Sequence, residues 1–412
     1  MPRQRAVVRS GVLGLVVLLF CSGCVIFRIG QSGPAGLAAT DRAILPILGD
    51  FDSDGWAEPV VLTDTGLVMM ELCGDGCLRR VDHIPFTVGI HSRAQEAASV
   101  ADFDADGVDD LAVLQSDGIH VYFGSQGGGS ASPGLSLSDS VFVAADYEDP
   151  FLGTFPFEGV HAADIDDDGR TDVVLLGAEY HYATIDGQRQ VTTPGAFWVP
   201  SFGGPCDRRF SRGAADVDGD DQPEFLASTT GACLPDLVYV GWIDVIGVDE
   251  FWRHHFTGFG SLGPLGDINS DGYDDITIRF ALPQPPPDTA DIHLSDGSDF
   301  VALTTSNGAP RSVPARTGAL HDLDGDGTTD LSTVDVDAQE LVWWNGDGNS
   351  GFTSPFGIDS FSLDLGPNSD VGPIAYGDVN GDGLTDALVV DRSADLAPAT
   401  VVLNESFVPT PP

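Results

Sequence analysis

Lysine is absent from the chain, so every one of the 18 basic residues is arginine, set against 63 acids. A formal net charge of −45 repels phosphate backbones and anionic head groups, which excludes nucleic acid as a partner. Long runs of Ala, Glu, Lys and Leu are also missing, which argues against a helical protein. No GxSxG, HExxH or phosphate-binding loop occurs, and no catalytic constellation emerges, so the chain is not read as an enzyme. His254-His255, within Phe251 to Phe256, has no carboxylate or cysteine at helical metal spacing and reads as part of an outer strand.

What is abundant is glycine and proline, 51 and 27 residues, which favours many short strands joined by turns. Arg3, Arg5 and Arg9 precede the nine-residue apolar stretch Val12 to Phe20, the pattern of an export signal over residues 1–23. Ser22-Gly23-Cys24 then resembles a bacterial lipoprotein cleavage box, and the resemblance implies a lipid-modified Cys24 and a membrane-anchored protein of the cell envelope. The competing reading is an uncleaved anchor, because Gly11 to Phe27 is uncharged and 17 residues long. In an exported chain the remaining Cys73, Cys77, Cys206 and Cys233 suggest disulfides. Cys73 and Cys77 flank the turn Gly74-Asp75-Gly76, which leaves Cys206 for Cys233; metal binding by the CxxxC pair lacks a nearby histidine.

The acids are not spread evenly. Seven short blocks align, beginning at Asp50, Asp102, Asp164, Asp216, Asp267, Asp322 and Asp378, at intervals of 51 to 62 residues. Each block puts acids or Asn at positions 1, 3, 5 and 9, with Gly normally at position 6 and a backbone carbonyl on offer at position 7. The predicted ligands are Asp50, Asp52, Asp54 and Glu58; Asp102, Asp104, Asp106, Asp110 and the carbonyl of Val108; Asp164, Asp166, Asp168, Asp172 and that of Arg170. The fourth and fifth sets are Asp216, Asp218, Asp220, Gln222 and Glu224, then Asp267, Asn269, Asp271, Tyr273 and Asp275. The last two are Asp322, Asp324, Asp326, Thr328 and Asp330, then Asp378, Asn380, Asp382, Leu384 and Asp386. Such oxygen cages suit Ca2+, up to seven ions in a structural role. An EF-hand needs Glu at position 12, where this chain has Val61, Val113, Leu175, Ala227, Ile278, Thr333 and Val389.

Apolar runs flank each block, as in Ala43-Ile44-Leu45 before the first and Leu111 to Leu114 after the second, and Ser116-Asp117-Gly118 then marks a hairpin. These blocks, with Tyr122-Phe123-Gly124 and Trp344-Asn345-Gly346-Asp347-Gly348, resemble the FG-GAP and VCBS repeats and the integrin α-subunit propeller, over residues 43 to 404. The resemblance implies an all-β, seven-bladed β-propeller whose calcium loops join the first two strands of each blade. It also implies a monomeric binding or adhesion module for a protein or polysaccharide ligand, met on the face opposite the calcium loops. A polysaccharide-active enzyme on the same scaffold and an architectural envelope component are the alternatives.

Departures from the pattern concentrate in the fourth block, where Asp221 replaces Gly at position 6; Asn269 and Asn380 also lower ligand charge in the fifth and seventh. Residues 24–42 read as a tether, with Gly36 to Arg42 the expected strand that closes the ring and residues 405–412 a tail. Loop elaborations are expected at Glu179 to Gln190, offered as the cause of the 62-residue interval, and at Pro283 to Pro287. The six tryptophans (Trp56, Trp198, Trp242, Trp252, Trp343, Trp344) read as packing between sheets, with adjacent Trp343 and Trp344 facing opposite ways.

Overall fold

In the computed structural model the residues described are 24–28, 42–72, 78–86, 97–126, 140–144, 146–149, 153–157, 159–165, 168–176, 180–197, 207–219, 224–231, 240–246, 251–257, 260–280, 289–304, 312–314, 318–335, 340–348, 360–362, 374–391 and 399–404, with isolated positions between them. The export-type segment 1–23, all four cysteines read as disulfides, and Pro283 to Pro287 lie outside them.

The fold is an all-β propeller, with no helix among the described residues. The strands form seven sheets of four or five strands and one two-stranded ribbon, all antiparallel. The first sheet shows the plan: Ala43–Gly49, Glu58–Thr63, Gly66–Leu72 and Leu78–Pro85 pair in chain order. Every acidic block links the first strand of a sheet to its second, for example Ala98–Ala101 to Asp110–Gln115 in the second sheet and Ala319–His321 to Asp330–Asp335 in the sixth.

The inner strand Glu58–Thr63 is apolar on both faces because its sheet is covered on both sides. Val61 and Val68 of the first sheet pack against Leu388, Val390 and Val401 of the seventh, while Val60, Leu62 and Met69 face Leu111 and Val113 of the second. This explains the unbroken run Val60-Val61-Leu62, which alternates between two cores and not between core and water. Full burial of each such side chain stabilises by about 1.5–3 kcal/mol. Phe103, Leu114 and Val121 join the second sheet to the third; Leu226 and Ile278 join the fourth to the fifth; Ile292 and Leu331 join the fifth to the sixth. Trp343 fills the core between sixth and seventh sheets, and Trp344 turns to the one between fifth and sixth.

Three expectations need correction. The strand that completes the last sheet is Cys24–Arg28, not Gly36 to Arg42: it pairs antiparallel with Ala399–Asn404, from Cys24 opposite Asn404 to Arg28 opposite Thr400. Val25-Ile26-Phe27 has the β-branched and aromatic character a strand needs. Arg42 lies outside any strand, its amide bonded to the Asp64 carboxylate at 2.9 Å. Second, the 62-residue interval separates the second block from the third, and the ribbon Asp146–Asp149 with Gly153–Pro156 is the extra element there. Third, Tyr180–Ile185 is the third strand of its sheet, and the turn after it lies on the face of the acidic loops, not opposite them.

Candidate metal centre

Each loop is organised around its first aspartate. In the first, Asp50 Oδ1 accepts from the amide of Asp54 at 3.0 Å and Oδ2 from Gly55 at 2.9 Å. The same pair recurs at Asp102, Asp164, Asp267, Asp322 and Asp378. The position 5 carboxylate then accepts from the amide of position 7, as Asp54 does from Trp56 and Asp106 from Val108, both at 3.0 Å. Arg170, Tyr273, Thr328 and Leu384 repeat it. These bonds curl the backbone so that the carboxylates face one another.

That curl needs a left-handed residue at position 6. Gly55, Gly107, Gly169, Gly272, Gly327 and Gly383 have φ between 80° and 90°, and an added Cβ at any of them would meet nothing within 4 Å. Conformation, not space, selects glycine there. Asp220, Asp221 and Gln222, like Asp166, lie outside the described residues.

Position 9 is the anchor. One oxygen of Glu58, Asp110, Asp172, Glu224, Asp275, Asp330 and Asp386 accepts from the amide of position 2 at 2.8–3.0 Å in every loop. The other oxygen of Asp110, Asp275, Asp330 and Asp386 accepts from an amide at or just past the end of the third strand: Gly124, Ser295, Gly346 or Asn404. Position 2 itself, Phe51, Phe103, Ile165, Val217, Ile268, Leu323 or Val379, is buried as a plug. The loops are thereby bolted to the hydrophobic core.

The donor set contains only oxygen. Ligand atoms of Asp50, Asp52, Asp54 and Glu58 lie within 4.8 Å of one another, as do those of Asp102, Asp104 and Asp110, of Asp216, Asp218 and Glu224, and of Asp322, Asp324 and Asp330. Burial, opposed by the backbone amides and reinforced by neighbouring carboxylates, pushes the Glu58 carboxyl up to about 8, Asp110, Asp275 and Asp386 to about 7, and Asp330 to about 6. Such carboxylates are poorly compensated without a cation, and an oxygen cage of this charge suits a hard divalent ion. In the fifth and seventh loops Asn269 and Asn380 instead donate to Asp271 and Asp382, at 2.9 and 3.1 Å.

Position 8 has a role the sequence did not disclose. The Asp109 carboxylate accepts from the amide of Asp50 at 2.8 Å, and the Asp109 amide donates to the Asp50 carbonyl at 3.1 Å. Asp274 clasps Asp216 in the same two ways, and the Ala57 amide donates to the Asp378 carbonyl at 2.7 Å, joining the first loop to the seventh. Position 7 reinforces this where position 4 of the preceding loop is glycine. An added Cβ on Gly381 would lie 2.1 Å from Trp56 and one on Gly219 2.7 Å from Tyr273. The first loop thus touches both the second and the seventh, and the fourth touches the fifth.

The sequence over residues 50–113 and 322–389 matches the family of FG-GAP-like repeats. No curated protein matches the chain. Among solved structures it is similar to an Agrocybe aegerita lectin with specific recognition of non-reducing terminal N-acetylglucosamine (TM-score 0.49, 15% identity, 78% of this chain and 80% of the lectin). It is also similar to a V. cholerae biofilm matrix protein (TM-score 0.39, 11% identity, 94% and 88% covered) and to a Lactobacillus plantarum protein (TM-score 0.42, 12% identity, 81% and 94% covered).

Proposed function

We propose that this β-propeller of FG-GAP-like repeats is an exported, calcium-stabilised binding module of the bacterial cell envelope, its seven sheets being seven blades of one ring. The observation that carries the reading is the recurrence, seven times on one face, of a carboxylate loop whose position 9 acid is bonded into the sheet beneath it. Calcium serves the fold in this reading. Extracellular calcium modules bind at about 0.1–1 mM, so about 1 mM calcium would add roughly 0.4–1.4 kcal/mol per loop. The ligand is a protein or a polysaccharide, and the face that meets it is opposite the calcium loops. There the first two sheets turn tightly, through Asp64-Thr65 and Ser116-Asp117. The fourth, fifth and seventh have the longer links 232–239, 281–288 and 391–398, and extra loop length of this kind is where recognition concentrates.

Cys24 as the lipid-bearing residue fits a chain in which a strand begins at that residue. An anchor spanning Gly11 to Phe27 would require the same Val25-Ile26-Phe27 in the bilayer, where they could not pair with Val401 to Leu403. The pairings Cys73 with Cys77 and Cys206 with Cys233 belong to the same exported reading.

The deciding measurement is calcium stoichiometry and thermal unfolding of the full chain, with and without chelator. Five to seven ions and a melting temperature lowered by well over 5 °C on chelation support the reading. No binding and an unchanged melting temperature would sink it. Glycan capture without turnover separates a binding module from a polysaccharide-active enzyme.

A further inference from the structure

One loop already contains a cation. The Arg189 guanidinium, from the turn between the third and fourth strands of the third sheet, reaches into the second loop: its Nε donates to Asp104 Oδ2 at 2.7 Å and its Nη2 lies 3.5 Å from Asp106 Oδ2. Asp104 is 3% exposed. The guanidinium carbon sits 4.2 Å from the centre of the Phe123 ring, so an aromatic face covers it.

The turn is built to present this side chain. Asp186 Oδ1 accepts from the amides of Gln188 and Gln190 at 2.9 and 2.8 Å, and the Asp186 carbonyl accepts from Arg189 at 2.7 Å. Arg189 has φ of 59°, a conformation usually given to Gly or Asn. A Cβ on Gly187 would stand 3.7 Å from the Asp104 carbonyl oxygen, so the turn lies against the loop backbone. The sixth loop offers the contrast: there Asp324 Oδ2 accepts, at 2.9 Å, from the neutral amide of Asn345 in its own sheet. Among the described residues no guanidinium lies within ion-pair distance of the first loop's acids.

We infer that Arg189 is a tethered counter-ion that competes with calcium for the second loop. The inference rests on the calcium reading proposed above. The oxygens a metal would take from positions 3 and 5 are the ones the guanidinium holds, and two cations cannot share them without strong repulsion. Calcium entry at this loop therefore expels Arg189 and frees the turn 186–190. In low calcium the guanidinium latches the third sheet to the second. The second loop then has the lower calcium affinity of the two Asp-rich loops at the start of the ring, and its filling is coupled to release of a surface turn.

The test is hydrogen–deuterium exchange of the full chain, metal-stripped and then titrated with calcium, for the wild type and R189Q. In the wild type calcium slows exchange over residues 102–110 and speeds it over 186–190. In R189Q the turn exchanges fast throughout. The calcium midpoint for 102–110 falls roughly tenfold, as expected for loss of a partly buried charge-assisted pair, while those for 50–58 and 322–330 stay put. Calcium that protects 186–190 together with 102–110 would overturn the inference, as would an unchanged midpoint in R189Q. Should R189Q fail to fold, the wild-type response of 186–190 still decides. Absence of calcium protection at 50–58 and 322–330 as well would instead remove the calcium reading itself, independently of Arg189.

Discussion

The first and second loops share spacing, left-handed glycine and hydrogen-bond scheme, yet they hold their charge differently. In the first, four acids converge and position 9 is Glu58, with one oxygen on the Phe51 amide. In the second, Asp110 divides its two oxygens between Phe103 and Gly124, and Arg189 neutralises Asp104 from outside the repeat. The motif fixes the shape of a loop. What surrounds the loop decides whether its charge is met by backbone amides alone or also by an arginine.

The largest effect expected is at the shared anchor. D110A leaves two buried amides without their acceptor and should cost about 2–4 kcal/mol, whereas E58A strands one and should cost about 1–2 kcal/mol. Equal losses in denaturant unfolding would erase the contrast between the two loops. Next is the contact of the first loop with the seventh. Gly381 combines φ of 76° with a Cβ position 2.1 Å from Trp56, so G381A should destabilise by roughly 1–3 kcal/mol. Adding W56A should recover part of that loss, and strict additivity in the double mutant would show that the Trp56 contact is irrelevant. The smallest effect is in pH dependence. Glu58 and Asp110 have folded values raised to about 8 and about 7, above those of the unfolded chain. Metal-free protein binds more protons at these two groups folded than unfolded, so the stability they contribute is fully present below about pH 4 and is lost as pH rises through 7 to 8. Saturating calcium should flatten or reverse the slope, because ions replace the protons. A metal-free melting temperature that rises between pH 5 and 8 would contradict this, and E58Q should remove the higher-pH part of the decline.

The loops and their place between first and second strands were legible because the acidic blocks repeat with fixed internal spacing, and because buried strands read as continuous apolar runs. Val60 to Leu62 and Leu111 to Leu114 needed nothing more. Cys24–Arg28 was missed because an apolar stretch beside an export-type segment looks like part of it, and only the unpaired edge of Ala399–Asn404 reveals its use. Asp109 and Asp274 fall outside the ligand positions, and their partners belong to the preceding loop. Arg189 stands 85 residues from Asp104, a distance at which no local pattern signals contact.

An anchor at Cys24 would give the closing strand a further consequence, under mechanical load. Cys24 is opposite Asn404, at the end of the last sheet where the Asn404 amide bonds to Asp386 of the seventh acidic loop. With an anchor at Cys24 and a ligand held on the far face, tension runs along Cys24–Arg28 rather than across it. The five residue pairs with Ala399–Asn404 are then sheared together, where a pull across the strand would peel them one after another. The strand that completes the ring would thus be the element most directly loaded, aligned so that its hydrogen bonds share the force.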